Sequence, residues 1–407
     1  MARTPVPHPG CFTSAYPSPQ WQEVPCTTAP ARPYPPRRGS RSYAVGNGND
    51  VSAQVTAGVI SVAEGSFDSV TGVTSETGDV DGAPPPVANT FSLQLNSNFF
   101  SNSPSCNGAS VPANCVAWEQ FVFSNSGYLI MQYWLINYNN TCPAGWYAYS
   151  TDCYTNGANS ASIPYQTIAN LGNLRLMGEA VSGGMDTVVL STGTALYAAQ
   201  NPDSAVYLAE GWTAAEFNVV GDCCGTQAIF NSGASIVVRT SVNNGSSGAA
   251  RCLAEGFTGE TNNLNFNPAS TGPTPEMLPA VVFTQSGASS STAPCTYATN
   301  LAANKAATHD FNGDGKSDIL WRNSDGDVDI WLMNGTQILS ATDLGNAPVS
   351  WSIAGTGDFN GDGKSDILSR NTNGDVAIWL MNGNQILSET DLANAANVWT
   401  LQGVNSD

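Results

Sequence analysis

The chain reads Asp310-Phe-Asn-Gly-Asp-Gly-Lys-Ser-Asp318, and the same nine residues return 48 positions later at Asp358–Asp366. Both copies run on through Ile-Leu-x-Arg-Asn, Ile-Trp-Leu-Met-Asn-Gly and Gln-Ile-Leu-Ser. A period of this length indicates a repeat architecture, and each unit offers four short strands, as one blade of a β-propeller does. In the first unit we predict these strands at Ile319–Arg322, Val328–Met333, Gln337–Thr342 and Trp351–Gly355.

The repeated loop has the chemistry of a calcium site. Oxygen-bearing side chains alternate around two glycines, and Ca²⁺ takes six to eight oxygen ligands in flexible geometry. An EF-hand is excluded because Trp321 and Ser369 stand where that loop needs glutamate. Solvated Asp-Asn-Gly turns remain the alternative. We expect two structural Ca²⁺ ions, with ligands from Asp310, Asn312, Asp314, the Lys316 carbonyl and Asp318, and from Asp358, Asn360, Asp362, the Lys364 carbonyl and Asp366.

Residues 305–407 resemble the FG-GAP/VCBS repeat family, whose Asp-x-Asn-x-Asp-Gly-x-x-Asp loops lie in calcium-binding propeller blades. A propeller closes with about four to eight blades, whereas this chain has two. We therefore expect the array to be truncated, to pack on the rest of the chain, or to pair with another copy through the blades. A surface glycan is a further possible partner.

Composition excludes several functional classes. The net charge is −19, and the first lysine is Lys305, so the surface repels nucleic acid. No apolar run is long enough for a membrane span. The ten cysteines include three close pairs, which predicts disulfides and an extracellular, secreted protein, although residues 1–30 show no signal peptide. The close pairs are Cys11/Cys26, Cys106/Cys115 and Cys142/Cys153.

The sequence predicts an all-β protein with four segments. These are a Pro/Arg-rich leader or prosegment (1–45), a β-sandwich (46–283), a linker (284–304) and two repeats (305–407). The leader carries five Arg and one Glu beside an acidic domain, so it could lie across a cleft and be released in acid; a surface tail is the alternative. A helical turn is predicted at Ser204–Trp212. Sandwich strands are predicted at Val55–Val62, Phe91–Leu95, Trp118–Phe123, Leu129–Tyr138, Thr187–Leu190, Glu216–Val220 and Ile236–Val238.

Elimination restricts the possible chemistry. The only histidines are His8 in the leader and His309 beside a calcium loop, which removes Ser-His-Asp, Cys-His and His-zinc systems from the central domain. No Gly-x-Ser-x-Gly elbow occurs either. Catalysis there must use carboxylates with amide, hydroxyl or indole groups. Gln120 and Glu216 are the main candidates, and Glu260 is a second acidic candidate for which a polar turn is the favoured interpretation.

The central domain resembles the glutamic peptidases (eqolisins) and, more loosely, neprosin-like proteins. The resemblance lies in Cys115-Val-Ala-Trp-Glu-Gln120, in Ala215-Glu216-Phe217 and in the strand-like Gly65-Ser-Phe-Asp-Ser-Val-Thr-Gly-Val run. It implies a concanavalin-like β-sandwich, and the two repeats after it imply two propeller-type blades. It also implies a secreted acid endopeptidase acting on proteins or peptides. Its catalytic residues would be Gln120 and Glu216, with Trp118, Tyr133 and Trp134 flooring a cleft. A non-catalytic adhesion or glycan-binding protein is the alternative, because fold alone does not decide function.

Overall fold

The fold is nearly all β and comes from a computed structural model of the chain. The structure describes residues 6–15, 20–37, 51–245, 250–253, 255–266, 280–287, 296–297, 309–312, 316–359 and 364–399. The chain divides into two compact units, one of residues 1–271 with 278–299 and one of 272–277 with 300–407. No helix among the described residues is long and apolar enough to cross a membrane.

The described part of the first unit holds strands β1 to β23 and short 3₁₀ turns. The turns are Pro104–Gly108, Pro112–Asn114, Ile168–Asn173, Asp203–Ala205 and Leu208–Glu210. The strands are β1 (Cys11–Ala15), β2 (Gln22–Val24), β3 (Ser52–Gln54), β4 (Val62–Thr71), β5 (Glu76–Val80), β6 (Ala83–Ala88), β7 (Phe91–Ser97), β8 (Val116–Ser124), β9 (Tyr128–Ile136), β10 (Tyr147–Tyr149), β11 (Asp152–Asn156), β12 (Ala161–Ser162), β13 (Arg175–Glu179), β14 (Met185–Ser191), β15 (Ala195–Pro202), β16 (Ala214–Gly221), β17 (Gln227–Phe230), β18 (Ser235–Asn243), β19 (Arg251–Leu253), β20 (Thr261–Asn262), β21 (Asn265–Phe266), β22 (Ala280–Ser286) and β23 (Thr296–Tyr297).

Two large sheets form a sandwich. One has the order β2-β1-β15-β14-β13-β4-β18-β22-β21, and the other has the order β10-β11-β9-β8-β7-β16-β3-β19. Side chains alternate between the faces of a strand, so odd-numbered residues such as Leu95, Phe121 and Phe217 enter the shared core while even-numbered neighbours face away. A smaller sheet, β20-β17-β5-β6, completes the unit.

Part of the predicted leader is built into the sandwich. Strand β1 pairs antiparallel with β15, from Cys11 opposite Ala199 to Ala15 opposite Ala195. Phe12 is buried, and Cys11 belongs to the main core. No periodic pattern indicated this strand, because the partner strand that orders it lies about 180–190 residues further along the chain.

The sandwich agrees with most of the predicted strands. The predictions at Phe91, Trp118, Leu129, Thr187, Glu216 and Ile236 fall on β7, β8, β9, β14, β16 and β18. The strand at Val55–Val62 is wrong, since a bend around Gly58 joins β3 to β4 there. The three close cysteine pairs form the predicted disulfides, Cys223 bonds Cys224, and Cys252 is also disulfide-bonded.

The second unit contains two antiparallel sheets in its described residues. The first has the order β24-β25-β26, and the second has the order β27-β28-β29-β30. Strand β27 therefore pairs with the second repeat, which corrects the prediction that it is the fourth strand of the first blade. The ranges are β24 (Ile319–Arg322), β25 (Asp327–Asn334), β26 (Gln337–Asn346), β27 (Trp351–Gly357), β28 (Asp366–Asn371), β29 (Asp375–Asn382) and β30 (Gln385–Asn394).

Candidate active site

A row of polar side chains crosses the outer face of the second sandwich sheet. Glu216 lies opposite Asn96, Asn96 opposite Gln120, and Gln120 opposite Gln132 on the adjacent strands β16, β7, β8 and β9. Directly opposed residues share one face of a sheet, so the four side chains stand side by side. All four are fully buried. The Cα atoms of Gln120 and Glu216 are two strand spacings apart, about 10 Å, with Asn96 between them.

The predicted cleft aromatics divide between the two faces. Trp118 and Trp134 lie opposite each other, two residues from Gln120 and Gln132, and pack with Tyr154 and Phe257 beside the polar row. Tyr133 lies opposite Glu119 and belongs to the core between the sheets. Its predicted place in the cleft is therefore wrong, because the alternation of side chains along β9 turns it the other way.

Glu216 has one engaged oxygen and one without a protein partner. Its Oε2 accepts hydrogen bonds from Asn96 Nδ2 (3.3 Å), from the Thr258 backbone N–H (3.2 Å) and from the Phe257 backbone N–H. Its Oε1 has no hydrogen-bond partner in the described part of the chain. The carboxyl group is thus fixed in position through one oxygen, while the other, buried oxygen can still accept a hydrogen bond.

Gln120 connects to a second carboxyl through Gln94. The Gln120 Nε2 donates to Gln94 Oε1 over a long 3.4 Å, and the Gln94 Nε2 donates to Glu260 Oε2 at 3.3 Å. Glu260 is fully buried and also accepts from the Gly225 N–H at 2.9 Å, so it is not the solvated turn residue expected from the sequence. Burial raises the pKa of Glu260 to about 7.

Sequence reasoning missed Asn96, Gln94 and the burial of Glu260. Gln94 and Asn96 alternate with Leu93 and Leu95 on β7, so the period of two was visible as a polar face on an otherwise apolar strand. What the sequence could not show was the register that aligns Asn96 with both catalytic candidates.

Leader residues 27–37 lie along the polar row as an extended peptide. The Arg32 carbonyl accepts from Gln132 Nε2 (2.8 Å), and the Tyr34 N–H donates to Gln132 Oε1 (2.8 Å). Further along, the Pro35 carbonyl accepts from Gly259 N–H (2.8 Å), and Arg37 N–H donates to the Phe257 carbonyl (2.9 Å). The peptide therefore runs across the strands from Gln132 toward the 257–259 segment that holds Glu216. Described leader residues therefore cover the polar row.

Tyr34 anchors this segment. Its ring is 2% exposed and packs against Val122, Ile130 and Cys223. Its hydroxyl is hydrogen-bonded to Ser124. Burial, with Asp222 adding to it, raises the pKa of Tyr34 well above its usual value. The site that holds Tyr34 thus accepts a large planar side chain with a polar end.

An ion-pair clamp lies next to this anchor. Arg32 contacts Asp81 at 2.7 Å (Nε to Oδ1) and Asp222 at 3.4 Å (Nη1 to Oδ2). Burial raises the pKa of Asp222, while its hydrogen bond from Ser124 and the charge of Arg32 act in the opposite direction. The charge complementarity predicted between leader and sandwich is thus present in a specific contact.

The acidic loops of the second unit are only partly described. Asp314, Asn360 and Asp362 lie outside the described residues. In the first repeat, Asp318 accepts from the Phe311 N–H (2.9 Å) and from the Met333 N–H (2.8 Å), and Asp366 makes the same two contacts with Phe359 and Met381 in the second. Asp310 and Asp318 are both buried within one loop. The two ends of the first acidic loop therefore each carry a buried carboxyl group.

Comparison with known proteins finds a family match within the second unit. Residues 310–369 match the family model described as FG-GAP-like repeat. This match confirms the resemblance predicted from the duplicated loop, and it covers only that part of the chain. No match to the chain was found among curated proteins.

Among solved structures, similarity is found to glutamic peptidases. One is SCP-B, a member of the eqolisin family of peptidases in complex with the tripeptide Ala-Ile-His, with 11% identity and a TM-score of 0.25 over 58% of this chain and 98% of that one. Another is scytalido-glutamic peptidase with a transition state analog inhibitor, with 12% identity and a TM-score of 0.22 over 60% and 94%. These are the proteins that the Gln120 and Glu216 motifs resemble, but similarity at this level does not establish an activity.

Proposed function

We propose that the chain is an acid endopeptidase of glutamic type, held in a covered form by its own leader. The observation that carries the proposal is the row of Glu216, Asn96 and Gln120 at the base of a groove that already holds an extended peptide. Carboxylate and carboxamide on one buried face are the groups that an acyl-transfer site needs once histidine is absent.

The proposed roles follow from the hydrogen bonds. Glu216 Oε1 takes a proton from water that attacks the scissile carbonyl, and the same carboxyl later protonates the leaving amine. The hydrogen bond from Asn96 fixes its other oxygen. Gln120 Nε2, whose bond to Gln94 is long, donates to the oxyanion that forms. Trp118 and Trp134 form an apolar wall beside the row.

The leader must leave before a substrate binds. Tyr34 and Arg32 hold it over the row, and Arg32 is held in turn by Asp81 and Asp222. Burial raises the pKa of Asp222, so acid protonates this carboxyl more readily than an ordinary aspartate and weakens its attraction for the guanidinium, which favours the open groove. This supports the prosegment role expected for residues 1–45. Because β1 is a strand of the sandwich, the covering part among the described leader residues is 27–37.

For the repeats we propose two structural Ca²⁺ ions. The buried Asp310 and Asp318 and the equivalent Asp358 and Asp366 support this. The other described ligand candidates are Asn312 and the Lys316 and Lys364 carbonyls. The ions would brace the loops and take no part in peptide cleavage. Disulfides throughout the first unit support export to an oxidising, extracellular compartment.

The test is casein digestion at pH 3–5 by the full chain and by Glu216→Gln, Gln120→Ala and Glu260→Gln. We expect Glu216→Gln to abolish cleavage and Gln120→Ala to reduce it by about 10²–10³-fold. The matched control is Glu119→Gln, since Glu119 is adjacent to Gln120 but lies on the opposite, core face. Loss of activity in Glu260→Gln alone would transfer the base role to Glu260.

Equal digestion by all variants, or none by the full chain at any pH, would reject the peptidase. The adhesion or glycan-binding alternative would then remain, with the groove serving a non-catalytic ligand. Binding of an ordinary peptide that displaces the leader, with no hydrolysis of that peptide at pH 3–5, would favour that alternative directly.

A further inference from the structure

The two repeats bury a specific contact between them. Phe311 of the first repeat is fully buried, its carbonyl accepts from the Gly383 N–H (2.7 Å), and the Asp310 carbonyl accepts from the Ser365 N–H (2.7 Å). We name two surfaces by their residues. The rear face of the first repeat consists of Phe311, Val328 and Ile330, and the front face of the second consists of Ile367, Ser369, Trp379 and Met381.

The same residues are more exposed where no repeat covers them. On the rear face of the second repeat, Phe359 is 43% exposed, whereas its counterpart Phe311 is 0% exposed. Val376 and Ile378 are half-buried, whereas Val328 and Ile330 are buried. The sequence of both rear faces is the same, so the difference comes from the neighbouring repeat and not from the composition.

The front face of the first repeat is likewise more exposed than its counterpart in the second repeat. Trp321 is 47% exposed and packs on the half-buried Trp331, with ring centroids 5.2 Å apart. Their counterparts in the second repeat, Ser369 and Trp379, are buried at 8% and 9%. Each end of the pair of repeats therefore presents a surface whose counterpart is buried at the internal contact.

The glycines in the two equivalent hairpin turns show the same difference in packing. A Cβ placed at Gly383 would meet Asn312 and Leu332 of the first repeat at 3.8 Å, whereas at Gly335 it would meet nothing within 4 Å. Both glycines have nearly the same positive φ, 63° and 61°, so the two turns are alike. Only the surface against which the turn packs is different.

We propose that the open rear face of one copy of this chain receives the open front face of a second copy. The rear faces of the two repeats have the same sequence, and the internal contact shows how such a face packs against a front face. The front face of the first repeat keeps Trp331 and Met333 but has Trp321 and Asp329 where the second has Ser369 and Ala377. Such a head-to-tail contact is heterologous and closes into a ring when the rotation permits. Because each copy supplies two blades and a propeller has about four to eight, the expected ring contains about two to four copies.

The test is the mass of the full chain in solution, measured by light scattering after gel filtration. The wild type is expected at about two to four times the monomer mass. Phe359→Asp removes the rear face and Trp321→Asp removes the front face. Each junction needs one face of each kind, so each variant alone should be monomeric. The matched control is Leu339→Asp, because Leu339 and its counterpart Leu387 are equally exposed, at 54% and 56%.

Mixing the two variants separates head-to-tail contact from other modes. The Phe359→Asp copy keeps a working front face, and the Trp321→Asp copy keeps a working rear face, so the mixture should form one junction and give a species of twice the monomer mass. A symmetric contact would not be restored by mixing. A monomeric wild type, an assembly unaffected by either substitution, or a mixture that stays monomeric would each overturn the proposal. None of these outcomes depends on peptidase activity.

Discussion

The sandwich and the repeats both contain buried carboxylates, but they distribute hydrogen bonds to them differently. In the sandwich, three donors converge on Oε2 of Glu216 and leave Oε1 without a protein partner in the described residues. In the first repeat, backbone amides take both oxygens of Asp318. The comparison teaches that burial alone does not indicate chemistry. A carboxylate with one uncommitted oxygen can act on water, whereas one with both oxygens committed holds the backbone together.

The largest expected effect is a loss of activity without a loss of stability. Glu216→Gln should lower the rate of peptide hydrolysis in acid by about 10³-fold or more, because the proton acceptor is lost, while the unfolding temperature changes little. Asp318→Asn should leave hydrolysis in acid nearly unchanged. Initial rates on a quenched fluorescent peptide and thermal unfolding of both variants measure this. If Asp318→Asn removed activity as completely as Glu216→Gln does, the division of roles would be wrong.

The second prediction concerns the covered groove. Tyr34→Ala removes a buried ring that anchors the leader, a change of the kind that costs about 3–5 kcal/mol in a core. Activity near neutral pH should therefore rise at least about tenfold, since each 1.4 kcal/mol is a factor of ten. Initial rates from pH 3 to 7 would show the active range extending upward. Tyr147→Ala is the control, because Tyr147 is 51% exposed; an equal rise in both variants would argue against an anchor at Tyr34.

A smaller effect is expected in the repeats. Asp318→Asn leaves one backbone amide without its charged acceptor, at a cost of about 1.5–3 kcal/mol, and Asp366→Asn should behave alike. Calorimetric unfolding measures the loss, with the exposed Asp325→Asn as control. Titration of the EDTA-treated chain with Ca²⁺ should show two sites, and one fewer in each variant. No calcium binding would leave Asp318 and Asp366 as purely structural residues.

The smallest effects are opposite pH dependences of the two units. Burial raises the pKa of Glu76 from 4.5 to about 8, so its contribution to stability is present below pH 4.5 and is lost as the pH rises toward 8. Hydrogen bonds from Asn346 and Asn323 lower the pKa of Asp327, so its contribution is present above its usual pKa and is lost as the pH falls. In calorimetry across pH 3–8, the unfolding temperature of the sandwich should fall as the pH rises. The unfolding temperature of the repeats should fall as the pH is lowered. Glu76→Gln should flatten the first trend, and an unchanged slope would contradict this cause.

Sequence reasoning reached the local features and missed the register. The acidic loops, the blade strands and the Gln120 and Glu216 candidates were visible because each lies in one short stretch. The position of Asn96 between them was not visible, since it follows from three strands pairing in one alignment. Tyr133 was predicted on the wrong face of β9, because side chains on a strand alternate between the two faces. Strand β27 was assigned to the wrong sheet because its partner follows it in the chain. The contact between leader and sandwich was predicted from charge, whereas the binding site of Tyr34 depends on how Val122 and Ile130 pack.

The pairing of β1 with β15 has a consequence for how the groove reopens and closes. Because β1 belongs to the sheet and Cys11 is bonded to Cys26, the segment that starts at residue 27 is attached to the sandwich at its N-terminal end. A cut after residue 37 would free only its far end, so the Tyr34 segment would remain at high effective concentration over Glu216. Opening in acid would then be reversible on neutralisation, even in a nicked chain. The covering segment would act as a tethered competitor that any substrate has to displace anew.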